Sequence, residues 1–567
     1  MKEIKEVGYK FALQNAVKYG GKANPGAVVG KVLAEDPELK EKRAEVGKIV
    51  AEIIYKINRM SLNDQVEELK KIAPELLEER EREESPRLKP LKDAVKGRVV
   101  MRVAPSPSGP LHVGHAYVLG LSSEFCKMYK GKLILRIEDT NPENIYPPAY
   151  EMIPEDANWL TKNGVDEVVI QSDRMKGYYD HAHSLLEKGH CYVCVCDAEK
   201  FRGLVMKSEA CPCRVNSVEE NLKLWDKMFV ELKPGEAVVR VKTELHDPNP
   251  ALREWPALRI NEHSHPRRGT EFRVWPLMNF SVAVDDHLLG VTHSVRGKDH
   301  IDNEKKQRYI FKYLGWRPPV ALYVGRINFE GFDLSTSETR RKIEYGEYEG
   351  WDDIRLPFLG AFRRRGYRPE AFVNFALDMG VHEADKTLPQ EEFLKILNHH
   401  NKELIDREAR RFFIVVDPVE VEIENAPSKR VRLKVHPDFP ERGERIFETS
   451  NAFYVQRDDV NRLEEGKVHR LMECCNFEKK NGFRFVSGEY EEFKNAANKG
   501  RIIHYVPYQK EYVRVEILMP DKKVFCGIGE PGLASVKVGE VIQAERLGFM
   551  RLDAVEKEMF KFWFCHR

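Results

Sequence analysis

Arg102-Val-Ala-Pro-Ser-Pro-Ser-Gly-Pro-Leu-His-Val-Gly-His115 is the stretch that decides the fold. It begins inside a short β-branched run, Arg98 to Ala104, crosses a proline-rich turn from Pro105 to Pro110, and enters a helix predicted over Leu111 to Tyr129. A second strand-like run, Leu133-Ile-Leu-Arg-Ile137, follows directly. Strand, turn, helix, strand opens a βαβ unit, and so a parallel sheet with helices on its faces. Later strands are expected at Phe280 to Val295 and Val320 to Ile327, with a helix over Asn303 to Tyr313 between them. About Cys191 to Trp275 is then an insertion in the sheet domain.

On either side the periodicity changes. Residues 1–95 read as a helical appendage, with Lys40 to Tyr55 spacing apolar residues by three and four, and Leu77 to Lys92 as a charged linker carrying Pro86 and Pro90. Gly350 to His400 returns to helical spacing. Beyond Arg410, alternating runs such as Val419-Glu-Val-Glu-Ile423 and Tyr512-Val-Arg-Val-Glu-Ile-Leu518 predict one or two small β-barrels. A chain of 567 residues implies roughly three to five domains, which excludes a single small binding module. Its 42% apolar and 32% charged residues exclude wholesale disorder. The 92 basic and 91 acidic side chains leave a charge of +1, so any polyanion site must be built from local patches. No apolar run approaches a membrane span and Met1-Lys-Glu-Ile-Lys-Glu6 opens on charges, so a soluble, cytoplasmic protein is expected.

Two short motifs carry chemistry. A His-x-Gly-His string such as His112-Val-Gly-His115 is expected by chance only ~0.04 times in a chain of this composition, and it falls at a strand-to-helix turn. A helix amino terminus offers unpaired N–H groups and partial positive charge to phosphates, two histidines can donate to the same oxygens, and Gly114 leaves bare backbone for a purine ring. The other motif is Leu334-Ser-Thr-Ser337, followed by Arg340, Arg341 and Lys342. Hydroxyls and cations on a loop can close over a triphosphate and stabilise charge on the departing pyrophosphate. The bland alternatives are a solvated helix start and a Ser/Thr turn capping a basic helix.

Together the motifs resemble the paired signatures of the class I aminoacyl-tRNA synthetases. The resemblance extends to Leu135-Arg-Ile-Glu-Asp-Thr-Asn-Pro142, Val284-Asp-Asp-His-Leu-Leu-Gly-Val-Thr-His-Ser-Val-Arg296 and Gly350-Trp-Asp-Asp-Ile-Arg-Leu-Pro357. These segments are similar to the glutamyl- and glutaminyl-tRNA synthetase family, and the β-rich carboxyl half to its archaeal glutamyl branch. The resemblance implies a multidomain α/β chain: a helical appendage (1–95), a split Rossmann-like catalytic domain (96–190 and 279–345), an acceptor-end insertion (191–278), a helical connector (346–408) and anticodon-binding β-barrels (409–567). It implies ATP, with Mg²⁺, held by Pro105, Gly109, His112, Gly114, His115, Leu334, Ser335 and Ser337, with His112, His115, Ser335 and Ser337 catalytic. It places glutamate against Arg102, Ala104, Ser106, Glu138 and Arg296. It also implies a monomer that needs bound tRNA(Glu) for the first step and uses the 2′-hydroxyl of the terminal adenosine, with tRNA(Gln) open as a second acceptor.

Four positions bear on the resemblance. The second signature is usually Lys-Met-Ser-Lys-Ser, whereas Asp333-Leu-Ser-Thr-Ser337 has neither lysine, so Arg340, Arg341 or Lys342 is expected to supply the charge. Met278 stands where bacterial relatives carry a substrate-contacting tyrosine. The glutaminyl branch typically has cysteine at the position of Arg296, so arginine favours glutamate; the competing arrangement pairs Arg296 with Asp285 or Asp286.

Five of the ten cysteines crowd between Cys191 and Cys213. Cys194-Val-Cys196 and Cys211-Pro-Cys213 can close a tetrahedral thiolate site for a structural Zn²⁺, with Cys191 as a substitute ligand and four reduced thiols as the alternative. Arg363 to Arg365, Arg407 to Arg411 and Tyr505 to Tyr512 are candidates for phosphate contact and base stacking on a positive face running from insertion to barrels. A glutaminyl enzyme and a non-catalytic tRNA-binding paralogue remain as competing readings; intact His112, Gly114, His115 and Glu138 oppose the paralogue.

Overall fold

Apolar residues three and four apart become the buried face of the helix Arg43–Ile57: Val46, Ile49, Val50, Ile53, Ile54 and Ile57 are all buried. With helices Lys2–Lys18, Pro25–Glu35 and Leu62–Ile72 they form one apolar core. Ser61 caps the last of these by accepting from the Asp64 N–H. In this computed structural model every residue is described except 1, 19–20, 36–38, 40–41, 74–75, 77–86 and 509–510. Most of the expected linker, Leu77 to Pro86, therefore lies outside the described residues. The chain divides into two units, Met1–Lys89 and Pro90–Arg567, each with its own core.

The second unit is built on a five-stranded parallel sheet. Its spatial order is Glu167–Ile170, Lys132–Ile137, Val100–Val103, His293–Gly297, Val320–Val324. The chain works outward from Val100–Val103 in one direction, then returns to its other side at His293–Gly297. That reversal leaves a crevice beyond the carboxyl ends of the two central strands, where open α/β sheets bind ligands. It also sets Arg102 and Arg296 on neighbouring strands.

The run Phe280 to Val295 is not one strand. Met278–Leu288 is a helix and only His293–Gly297 joins the sheet. Phe280 to Asp286 are buried without exception, so the helix has no polar face from which its period could be read. The insertion is a four-stranded antiparallel sheet, Cys191–Cys194, Val238–Val241, Pro256–Ile260 and Val274–Pro276, with helices Ala198–Lys207 and Val218–Val230. It shares a core with the helices Met278–Leu288 and Ile301–Leu314.

Helices Leu359–Arg365, Pro369–Met379 and Gln390–Ile405 make the connector. Pro369–Met379 lies so near the helix Val113–Tyr129 that a Cβ on Gly120 would meet the Ala376 Cβ at 3.2 Å. Two seven-stranded sheets follow. The edge strands of the first, Arg410–Phe412 and Ile414–Val416, are one residue apart in the chain, and those of the second, Lys499–Ile503 and Val506–Pro507, two apart. Each sheet thus curls until its edges nearly meet, giving two barrels where the sequence predicts one or two. Among the described residues no helix is long and apolar enough to cross a membrane.

Candidate active site

The crevice is a cavity of about 290 Å³ lined by Arg102 to Ser106, Gly114, His115, Glu138, Met278 and Val295 to Gly297, among others. It brings together Arg102, Ala104, Pro105, Ser106, Gly114, His115, Glu138 and Arg296 of the expected residues. Gly109, His112, Leu334, Ser335 and Ser337 stand outside this lining; of these, His112 bonds to Gly114 and His115, and Leu334 lies beside Gly114.

The His-Val-Gly-His turn is held by its own side chains. His112 Nδ1 accepts from the Gly114 N–H at 3.0 Å and His115 Nδ1 accepts from the His112 N–H at 3.3 Å. The remaining first-turn donors are also engaged: Val113 N–H with the Pro357 carbonyl, His115 N–H with the His112 carbonyl. The helix therefore does not offer unpaired N–H groups to phosphate, as its sequence suggests. What it offers instead is two imidazoles. Burial holds the His115 ring down to about 4, and burial with the neighbouring His115 ring holds His112 well below its ordinary value. Both are neutral at pH 7, and with each Nδ1 accepting, the proton sits on Nε2 as a donor. A Cβ on Gly114 would lie 2.9 Å from the His112 ring, so only glycine fits there.

The second motif docks on the first. Ser108 Oγ and Thr336 Oγ1 share a hydrogen bond of 2.9 Å, and a Cβ on Gly109 would meet Thr336 and Trp351 at 3.0 Å. Leu334 lies 4.0 Å from the place of a Gly114 Cβ. Ser335 caps the helix Thr336–Glu344 by accepting from the Glu338 N–H, and its hydroxyl contacts Ser337 Oγ at 3.3 Å. Of the three cations, Lys342 is held by Asp333 and Glu338, and Arg340 Nε lies 3.7 Å from the Glu344 carboxylate. Arg340 lies one turn after Thr336, over the Tyr146 ring at 5.8 Å, and the Tyr146 N–H donates to the Pro107 carbonyl.

An ion cluster floors the cavity. Asp286 accepts from Arg102 Nε at 3.2 Å and from Arg136 Nη1 at 2.6 Å, and Arg136 Nη2 reaches Glu138 at 2.9 Å. Burial opposes the Asp286 charge, but the two guanidiniums hold its carboxyl down to about 2. Asp285 is taken by Gln171, Arg174 and Tyr178. Arg296 pairs with neither aspartate: it donates to neutral Gln307 at 2.8 Å, and burial and then Arg102 bring its guanidinium down to about 10. Arg136 and Gln307 were not among the residues expected from sequence. A lone arginine in the apolar run Leu133 to Ile137 was the available signal for Arg136.

The four cysteines of the insertion converge, with all four sulfurs within 4.8 Å of one another. Contacts of 3.4 to 3.7 Å run Cys194–Cys211, Cys196–Cys211 and Cys196–Cys213. Zinc–sulfur bonds of ~2.3 Å in a tetrahedron put sulfurs ~3.8 Å apart, so the donor set fits that ion. Cys191 is buried outside the cluster and is not a substitute ligand.

Two family models match: tRNA synthetases class I (E and Q), catalytic domain, over residues 98–404, and the anti-codon binding domain of the same class over 409–494. The chain belongs to this family. A glutamate–tRNA ligase of Methanocaldococcus jannaschii is 45% identical over 98% of this chain and 99% of its own, and one of Pyrococcus furiosus 44% identical over the whole of both.

Several expected RNA contacts of the synthetase are internal ties instead. Arg363 pairs with Glu155, Arg364 with Asp352 and Asp553, and Arg365 is buried against the Phe564 and Cys565 carbonyls. Arg410 pairs with Glu540 and Arg411 with Asp406, while Tyr505 is wholly buried.

Asp156, which no sequence motif singles out, anchors the signature turn by accepting from the Leu111 N–H at 3.0 Å. Burial pushes its carboxyl up to about 7. Because the folded state binds this proton more tightly than the unfolded chain, the benefit is complete below the unfolded carboxylate range and is lost as pH rises through about 7. Asp156→Asn keeps an acceptor and cannot ionise, so thermal unfolding should show it melting with the wild type at about pH 4 and above it at about pH 8.

Proposed function

We propose that this synthetase is a glutamate–tRNA ligase, activating glutamate with ATP as glutamyl-adenylate and passing the acyl group to the terminal adenosine of tRNA(Glu). The observation that carries the amino acid is Arg296, a buried guanidinium whose hydrogen-bond partner is uncharged. Around the cavity the guanidiniums of Arg102, Arg136 and Arg296 face the carboxylates of Asp286 and Glu138, leaving one positive charge in excess. Glutamate, with two carboxylates and one ammonium, brings the matching negative charge. Glutamine is neutral overall and would leave Arg296 buried against an amide.

Glu138 takes the substrate ammonium, while Arg296 and the Arg102 Nη1 that Asp286 does not use take the carboxylates. Held in line, the glutamate α-carboxylate attacks the α-phosphorus of ATP and pyrophosphate departs. The His112 and His115 Nε2–H groups donate to the phosphates, and Arg340 supplies the cation that Thr336 does not. A hydroxyl of the terminal adenosine then attacks the acyl carbon and AMP leaves. ATP enters with its Mg²⁺ as substrate. The setting proposed is the cytoplasm, where ATP, glutamate and tRNA meet.

Pyrophosphate exchange in the presence of tRNA tests the amino-acid assignment. Arg296→Cys should lower kcat/KM for glutamate roughly 10- to 100-fold and raise the glutamine-to-glutamate ratio; an unchanged ratio removes Arg296 from recognition. In the same assay Arg340→Ala should slow activation roughly 100-fold while Arg341→Ala stays near the wild type, and equal rates for all would return the charge to another group. Charging purified tRNA(Glu) and tRNA(Gln) separately fixes the range of acceptors.

Cys194, Cys196, Cys211 and Cys213 are proposed to hold a structural Zn²⁺, which would crosslink the two ends of the insertion's first loop and take no part in chemistry. Purified protein should carry one zinc per chain. Cys211→Ser should lose it and raise protease sensitivity within residues 191–278, whereas metal-free protein with an intact insertion would mean four reduced thiols.

A further inference from the structure

The two barrels meet at a small apolar seam of Val415, Val506 and Ile528, with Tyr454 packed on it. Val415 and Ile528 face each other across two strands of the first barrel, and Val506 pairs with Tyr454 in the second. Along Ala452–Gln456, Phe453 and Val455 enter the second barrel's core, so strand alternation turns Tyr454 outward onto the seam. Two further tyrosines gather there. The ring of Tyr508 lies 5.1 Å from that of Tyr454 and tilted by 38°, and the ring of Tyr512 lies 5.9 Å away at 72°. Tyr508 is 45% and Tyr512 41% exposed. Directly across the strand pair from Tyr454 is Glu420, exposed and without an ion pair among the described residues.

Single exposed tyrosines are ordinary; two solvent-open rings that both pack on a third, Tyr454, make an amphipathic stacking surface. Aromatic faces accept nucleobases of any sequence, and a free carboxylate beside them accepts from an exocyclic amine. Tyr454 and Glu420 lie within residues 409–494, matched by the anti-codon binding domain, which favours RNA over a protein partner. We propose that Tyr454, Tyr508 and Tyr512 form a platform on which one unstacked base of the tRNA anticodon loop stacks, with Glu420 reading that base's amine. The proposal rests on the tRNA ligase reading.

The experiment measures aminoacylation kinetics for Tyr508→Ala, Tyr512→Ala and the corresponding Phe variants, on tRNA transcripts carrying a single abasic site at each anticodon-loop position in turn. Stacking predicts that each Ala variant raises KM for intact tRNA roughly 5- to 150-fold with kcat nearly unchanged, and that Phe restores it. One abasic transcript should bind the wild type poorly yet be indifferent to the Ala variants, because both changes remove the same contact. Wild-type KM in the Ala variants, loss in Phe as large as in Ala, or additivity with every abasic position would overturn the platform. A wild type that charges no tRNA would instead sink the ligase reading. Fluorescence anisotropy with the same transcripts would then decide the platform by the same comparisons.

Discussion

The structure depends on the carboxylate of Asp286. Arg136 is wholly buried and Arg102 nearly so at the carboxyl edge of the sheet, and an unpaired buried guanidinium would cost several kcal/mol. Asp286, itself 1% exposed, answers both. With Asp286 shared twice, Asp285 taken by Arg174 and Glu138 by Arg136, no carboxylate among the described residues forms an ion pair with Arg296. The cavity is thus short of negative charge, and the shortage follows from which strands the fold makes neighbours. Reversal of the strand order between the parallel neighbours Val100–Val103 and His293–Gly297 is what gathers three guanidiniums at one edge of the sheet, two of them on the same aspartate.

Much of this was legible in the sequence, for local reasons. The parallel sheet, the signature turn and the barrels follow from β-branched runs, turn residues and alternation, all of which act over a few residues. The cysteine pairs were legible because their spacing is itself the signal. Partners far apart in the chain were not. Arg364 meets Asp553 across 189 residues and Thr336 meets Ser108 across 228, so nothing near Arg363 to Arg365 marks that cluster as a tie between connector and barrel. The helix Met278–Leu288 was misread because burial on all sides erased its period. At the histidines the residues were legible and their use was not: the turn spends its backbone donors on itself, on Pro357 and on Asp156, and presents imidazole N–H groups in their place.

That self-capping bears on the altered second signature. Thr336, where a lysine is usual, touches Ser108 and the bare backbone of Gly109. A short side chain permits this approach, and Glu138 N–H bonding to the Pro105 carbonyl and Tyr146 N–H to Pro107 fixes the loop it meets. Thr336 and Arg340 are four residues apart and share one helical face. The helix therefore presents its hydroxyl at the contact and its cation one turn behind, over Tyr146.

Glu138 is steadied from a second direction. Its neighbour Asp139 accepts from the Ser172 N–H at 2.8 Å, and from the Ser172 and Tyr150 hydroxyls at 2.7 Å. The Asp139 carbonyl lies 3.1 Å from His265 Nε2. His265 Nδ1 accepts from the Arg267 and Arg268 N–H groups, so its proton is on Nε2 and donated to Asp139, while its ring stacks on Trp275 at 5.1 Å. His265 and Trp275 belong to the insertion; Asp139 belongs to the sheet domain. This buried clamp, one peptide bond from Glu138, joins the segment carrying the cysteine cluster to the sheet domain beside the ties of Arg259 to Asn141, Asn261 to Glu143 and Arg267 and Arg268 to Asp173. A shift of the insertion that displaces His265 pulls on the backbone beside Glu138.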